Sequence, residues 1–384
     1  MFKFAFDLDD EDIDSEINSV IKDTANIQIQ SKSSSGEHGE YLEKPAISDV
    51  QLGALPAQLS FSPLEIDVSP SSSAAGARQT HHIARRDLFD ARFQVMSEDK
   101  NPRLEFLNTP SDLVPGVYEG GLKTWECSLD LVNYLNSSLK DEDIASKRIL
   151  ELGCGTGVPS LYLLQRIFSR PPPDPTSRKT TIHFQDYNTS VLELVTFPNV
   201  LLSWSSEPFL SSQPASSESE TDDVVEYPTK DPALAGDLPI TPSLKAAFER
   251  SLETFNLEIK FLGGSWKSFR NAMVNRAYDI LLTSETIYRT ESVPELLDTM
   301  WVATHSSTSV PSHRITNQLA EMAIHENSDP LILVAAKVFY FGVGGGIDEF
   351  VKATKEWRSN GTTEVTTVWQ QNVGVGRRIV RVFW

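Results

Sequence analysis

Three glycines alternate in Glu151-Leu152-Gly153-Cys154-Gly155-Thr156-Gly157. Before them runs KRILEL (147–152), a short apolar stretch that suits a buried parallel strand; after them PSLYLLQRIF (159–168) reads as a helix. Glycine at such a junction lets the backbone turn tightly and approach a ligand at the helix N-terminus. A dinucleotide-binding turn would carry its third glycine where this chain has Val158, so the spacing is not that of a pyrophosphate cradle. It suits a nucleoside joined to an amino-acid group. Asp186 ends the next strand, TIHFQD (181–186), where a carboxylate can accept both hydroxyls of a ribose. Its alternative use, capping the following helix, can be taken over by Asn188 or Ser190.

An acid two residues ahead of Gly-x-Gly-x-Gly is the pattern of S-adenosylmethionine-dependent methyltransferases. With Asp186 it predicts an α/β fold, a Rossmann-like, seven-stranded, mostly parallel sheet with a C-terminal antiparallel hairpin. The elements that must position these residues alternate strand and helix. Further strands are expected at 257–261, 278–284 and 331–340, with helices at 190–202 (interrupted at Pro198), 291–301 and 349–357. A β pair at 362–369 and 378–384 closes the chain.

The 384 residues carry 53 acids against 34 bases, a net charge of -19. Residues 1–100 hold 18 acids and 9 bases, and 203–256 hold 10 and 3. Both stretches are rich in serine. They are read as a largely disordered acidic N-terminal region with a short Phe-rich start (Phe2, Phe4, Phe6) and a disordered insertion at about 205–242 within a domain spanning 101–384. The acidity argues against direct nucleic-acid binding and is compatible with a basic protein partner. Two cysteines, Cys127 and Cys154, make neither a disulfide framework nor a zinc knuckle, and no metal is expected. No apolar run reaches the ~18 residues of a membrane span, and the acidic N-terminus is not a signal peptide. A soluble, intracellular protein is expected.

Four blocks are more specific. They are Tyr118-Glu-Gly-Gly-Leu-Lys-Thr-Trp-Glu-Cys127, His183-Phe-Gln-Asp-Tyr-Asn188, Leu282-Thr-Ser-Glu-Thr-Ile-Tyr288 and Lys337-Val-Phe-Tyr-Phe-Gly-Val-Gly-Gly-Gly346. Together they resemble the histidine protein methyltransferase family, over roughly 102–204 and 257–384; the Phe-x-Phe-x-Phe start does so too. The resemblance implies methyl transfer from S-adenosylmethionine to the tele nitrogen of a histidine in a large-subunit ribosomal protein, by a monomer of the cytoplasm and nucleus. It implies that Trp125, Glu126 and Cys127 line the cofactor and that Gly153 and Gly155 form its turn. Asp186, Tyr187 and Asn188 would hold ribose and adenine, Gly264, Ser265 and Trp266 would flank the adenine, and Ser284 would sit beside the methyl donor. At Ser265 the chain departs from the acid or amide more common in the family.

Read physically, Trp125 is either a core indole or a partner for an adenosyl group. Glu126 either binds the cofactor ammonium or satisfies local backbone donors. Cys154 packs as a small apolar residue. Glu285 and Tyr288 follow the fourth strand, at the edge where open α/β sheets bind ligands. Neutral imidazole needs no strong base, only the tautomer that leaves the tele lone pair free. A carboxylate accepting the pros proton fixes that tautomer, and Glu285 is placed to do so; alternatively it is a first-turn acid of the following helix. Gly342, Gly344, Gly345 and Gly346 suggest a mobile loop over the same edge. Competing readings are a protein-lysine methyltransferase of the same fold and a non-catalytic ribosome-assembly protein.

Overall fold

The central strands are apolar along their whole length because the sheet they form is covered on both faces. The computed structural model describes residues 42–43, 54–69, 79–97, 120–206, 231–273, 277–305, 329–357 and 363–384. Two compact units divide the chain, Met1–His38 and Gly39–Trp384, and every described residue lies in the second. In chain order the elements are β1 (Leu42–Glu43), β2 (Gln58–Val68), β3 (Gln79–Arg86), α1 (Leu88–Ser97), α2 (Glu126–Ser138), β4 (Arg148–Leu152), α3 (Val158–Phe168), β5 (Thr180–Asp186), α4 (Phe197–Ser205), β6 (Gly236–Pro239), α5 (Pro242–Thr254), β7 (Leu257–Gly263), α6 (Trp266–Ala272), β8 (Ile280–Ser284), α7 (Val293–Thr304), β9 (Leu331–Lys337), α8 (Ile347–Glu356), β10 (Glu364–Gln371) and β11 (Arg377–Phe383).

The main sheet has the order β1-β7-β5-β4-β8-β9-β11-β10. Strands β7, β5, β4, β8 and β9 are parallel. The C-terminal hairpin enters with β11 antiparallel to β9 and β10 outside it. These seven strands are the Rossmann-like sheet expected from the sequence; the two-residue β1 adds an antiparallel fringe to β7. Alternate residues serve two cores. Ile149, Ile182, Phe184, Ile259 and Phe261 pack with α2, α3 and α4, whereas Leu150, Leu152, Leu281, Ile332 and Val334 pack with α6, α7 and α8.

Two expectations need correction. Part of the serine-rich N-terminal region is ordered: β2 and β3 pair antiparallel, and the compact unit begins at Gly39, well ahead of 101. The insertion is ordered at its end as well, since β6 joins the other edge of β2. Averaged composition hides a local alternation, by which Leu59, Phe61, Ile66, Val68 and Leu238 are buried. This second sheet, β3-β2-β6, packs on α2, α3 and α4. The Phe-rich start and residues 207–230 lie outside the described residues.

The break foreseen at Pro198 is also absent. Residues 192–196 form a wide π turn, and Pro198 falls in the first turn of α4, where a missing N–H costs little. The carbonyl of Leu194, in that turn, accepts from the buried Arg86 guanidinium at 2.7 Å.

Candidate active site

Because five neighbouring strands are parallel, their carboxyl ends deliver the predicted residues to one edge. The order reverses between β4 and β8, which places the glycine turn and Glu285 side by side at the switch point. Gly153, Gly155 and Gly157 all have left-handed backbones, with φ of 60°, 51° and 77°. At two of them the need for glycine is also packing. A Cβ on Gly155 would lie 3.1 Å from the Cα of Gly121, and one on Gly153 would lie 2.5 Å from Cγ2 of Thr286. The turn is thus clamped between the segment ahead of α2 and the segment after β8.

Asp186, 5% exposed, ties this turn to the end of β5. Its Oδ2 accepts from the Gly155 N–H at 2.9 Å and its Oδ1 from the Asn188 N–H at 2.8 Å. Each oxygen keeps a second lone pair. Asn188 does not cap the following helix with its side chain; its amide donates to the Gly120 carbonyl at 2.9 Å. Gln185, which the sequence analysis did not single out, donates to the Gly264 carbonyl at 2.7 Å and accepts from the Gly153 N–H at 3.4 Å. The β7 end is thereby held against the turn. Beside these lie exposed Tyr187 and half-buried Trp266. Ser265 is the N-cap of α6, its Oγ accepting from the Ser268 N–H at 3.2 Å. Gly153, Gly155, Asp186, Tyr187, Asn188, Gly264, Ser265 and Trp266 therefore form one contiguous set. Its acidic acceptor, close backbone and flanking aromatic rings fit an adenosyl group.

The remaining predicted residues assemble around Glu285. Ser284 ends β8, and Glu285 follows with φ 57°. A left-handed glutamate costs about 1–3 kcal/mol and persists where its surroundings fix it. Here they do. The Glu285 N–H donates to the Ala335 carbonyl, Oε1 accepts from the Cys127 N–H at 3.4 Å, and Oε2 accepts from the Tyr340 hydroxyl. Burial pushes the Glu285 carboxyl up, and the Lys337 charge, 4.0 Å from Oε1, opposes it. Lys337 also reaches Glu126 at 3.1 Å and lies 5.0 Å over the Trp125 ring. Trp125, Glu126 and Cys127 begin α2 and so gather at Glu285 through this network. Tyr288 stands edge-on to Tyr340, with ring centroids 6.4 Å apart.

Tyr340 arrives because β9 ends at Lys337, earlier than the expected 340. The Val338 N–H then turns to the Gly376 carbonyl, and the Tyr340 N–H to that of Gly345. The glycine loop is in part tightly held. A Cβ on Gly345 would come within 2.4 Å of the Ile287 carbonyl oxygen, whereas Gly342 and Gly344 face open space. Lys337 and Tyr340 carried no role in the sequence reading. A single lysine closing the apolar run Leu331–Ala336 was the signal available. Among the described residues no group of three or more His, Cys, Asp or Glu is arranged to hold a metal ion, and no helix is long and apolar enough to cross a membrane.

The chain is 34% identical over 282 residues to histidine protein methyltransferase 1 of Schizosaccharomyces pombe, covering 70% of this chain and 68% of that protein. It is 32% identical over 284 residues to histidine protein methyltransferase 1 of Saccharomyces cerevisiae, covering 70% and 67%. Among solved structures it overlaps loosely with magnesium protoporphyrin IX methyltransferase from Synechocystis PCC 6803 with bound SAH, at 10% identity and a TM-score of 0.34, over 77% of this chain and 98% of that one. No family model matches the chain.

Proposed function

The chain belongs to the histidine protein methyltransferase family, and from that premise we propose that it methylates the tele nitrogen of a histidine in a large-subunit ribosomal protein, using S-adenosylmethionine. The observation that carries this reading is the buried, left-handed Glu285 held at the switch point beside the glycine turn.

When bound, S-adenosylmethionine supplies a methyl carbon on a sulfonium, open to in-line displacement by a positioned lone pair. Asp186 and the turn at Gly153 and Gly155 hold its adenosyl end, with Tyr187, Asn188, Gly264, Ser265 and Trp266 around them. Glu285 has lone pairs beyond those used by Cys127 and Tyr340. It accepts the pros N–H of the incoming imidazole, which leaves the tele nitrogen unprotonated and aimed outward. Once that nitrogen carries the methyl group, the ring is cationic and its pros proton leaves through Glu285 or water. Lysine would first have to lose a proton at a pKa of ~10.4, whereas imidazole at ~6.5 is mostly neutral in the cell.

The net charge of -19 favours encounter with a basic partner such as a ribosomal protein. The protein acts as a monomer in cytoplasm and nucleus and needs no direct contact with nucleic acid. The test is peptide mapping of ribosomal proteins after incubation with the enzyme and S-adenosylmethionine. A gain of 14 mass units (about one methylene, roughly 14) on a histidine-bearing peptide supports the reading. The same gain on lysine only would replace it with the lysine reading.

A further inference from the structure

Lys337 closes an otherwise apolar strand, and its side chain is only 11% exposed. Lysine is rarely so buried without a partner. Its ammonium stands between two carboxylates, Glu126 Oε2 at 3.1 Å and Glu285 Oε1 at 4.0 Å. The Trp125 ring lies beneath it at 5.0 Å and the Tyr340 ring beside it at 5.9 Å. One cation therefore touches each element that builds the Glu285 pocket: the start of α2, the end of β8 and the loop after β9.

We propose that Lys337 is a positioning residue for methyl transfer: it keeps the buried Glu285 carboxylate charged and aimed, so that Glu285 can accept the ring proton of the target imidazole. This inference rests on the reading of Glu285 given above. The charged and titratable groups facing Glu285 support it. From α2 come Glu126 and Cys127, with Asp130 behind them already engaged by Arg377 of β11. From the loop after β9 comes Tyr340, whose hydroxyl proton is held on Glu285 and whose ionisation burial disfavours. Burial pushes the Glu285 carboxyl up, Glu126 adds to that, and Lys337 is the first opposing charge. Arg377 pairs with Asp130, so Lys337 is the cation that faces Glu285 itself. Glu126, about half exposed, serves as the second anchor that holds the ammonium in place.

The test compares Lys337→Met and Lys337→Arg with the unaltered enzyme. The Glu285 carboxyl is followed by carbon-13 NMR of glutamate-labelled full-length protein, assigned by its loss in Glu285→Gln. Methyl transfer is followed across pH on the same samples. In Lys337→Met the carboxyl is expected to titrate at higher pH, and kcat to fall about tenfold or more at neutral pH, a shift of one pKa unit being a tenfold change. The rate should recover towards alkaline pH while S-adenosylmethionine affinity stays unchanged. Lys337→Arg should keep the unaltered profile. A carboxyl that titrates identically in Lys337→Met, or a rate loss equal at all pH values, overturns the proposal. If the carboxyl moves and the rate does not follow, Glu285 is not the proton acceptor, and the reading of the site on which the proposal rests falls with it.

Discussion

The hydroxyl of Tyr340 donates to the carboxylate of Glu285, linking the loop after β9 to the residue after β8. Two loops that are far apart in the chain thus share one buried acceptor. If that bond sets the direction of the carboxylate, Tyr340→Phe should lower kcat by about 10–100-fold. That corresponds to the ~1.5–3 kcal/mol of a hydrogen bond to a charged group. Affinity for S-adenosylmethionine, measured by calorimetry, should stay constant. A matching loss of cofactor affinity would show that Tyr340 serves the cofactor side instead.

The glycine loop offers a way to displace Tyr340 without touching its chemistry. Gly345 packs under the backbone of Ile287 and Tyr288, so Gly345→Ala must push the loop outward. Gly344→Ala meets no neighbour within 4 Å and only its own left-handed strain at φ 86°, a cost of roughly 1–2 kcal/mol. Steady-state kinetics should show the larger fall in kcat for Gly345→Ala. Equal effects would mean that the loop does not position Tyr340.

On the cofactor side, Asp186→Ala removes the acceptor of the Gly155 and Asn188 N–H groups. Binding of S-adenosylmethionine should weaken by about 1.5–3 kcal/mol. Gly155→Arg should abolish it, because the new side chain starts 3.1 Å from Gly121 and forces the turn apart. Unchanged calorimetric affinity in either variant would remove the adenosyl site from this edge.

Glu151 gives a pH prediction that does not depend on activity. It is 1% exposed and accepts from the Ser160 N–H at 3.0 Å. Burial pushes its carboxyl up to about 8. Between the ordinary value of 4.5 and about 8 the folded protein holds a proton that the unfolded chain has lost. Stability contributed by the protonated form is therefore present at low pH and declines as pH rises through that window, by at most about 1.4 kcal/mol per unit. Glu151→Gln stays neutral throughout. Its melting temperature, relative to the unaltered protein, should climb as pH is raised across that range. Parallel melting curves would show that Glu151 is ionised in the fold.

What the sequence made legible follows from how local each signal is. The glycine turn, Asp186 and the apolar runs of β4, β5, β8 and β9 are written in contiguous residues, and the parallel sheet follows from them. The second sheet was not legible. Its strands β2 and β6 are far apart in the chain, and their alternating apolar residues are diluted by serine, proline and acids. At the site, Glu285 was visible as an acid after a strand. Its left-handed backbone and its meeting with Lys337 and Tyr340 depend on β9 lying beside β8 and on the turn at Val338. The grouping of Trp125, Glu126 and Cys127 with Glu285 likewise arises from where α2 starts in space.

The most direct test is amino-acid analysis of the methylated product. Large ribosomal subunits from cells lacking this enzyme are incubated with it and with S-adenosylmethionine labelled in the methyl group. The protein is hydrolysed, and labelled histidine and lysine derivatives are separated against standards. The geometry of Glu285, which takes the pros N–H and frees the other ring nitrogen, predicts label in tele-methylhistidine, lost in Glu285→Ala. Label in pros-methylhistidine or in methyllysine would contradict it.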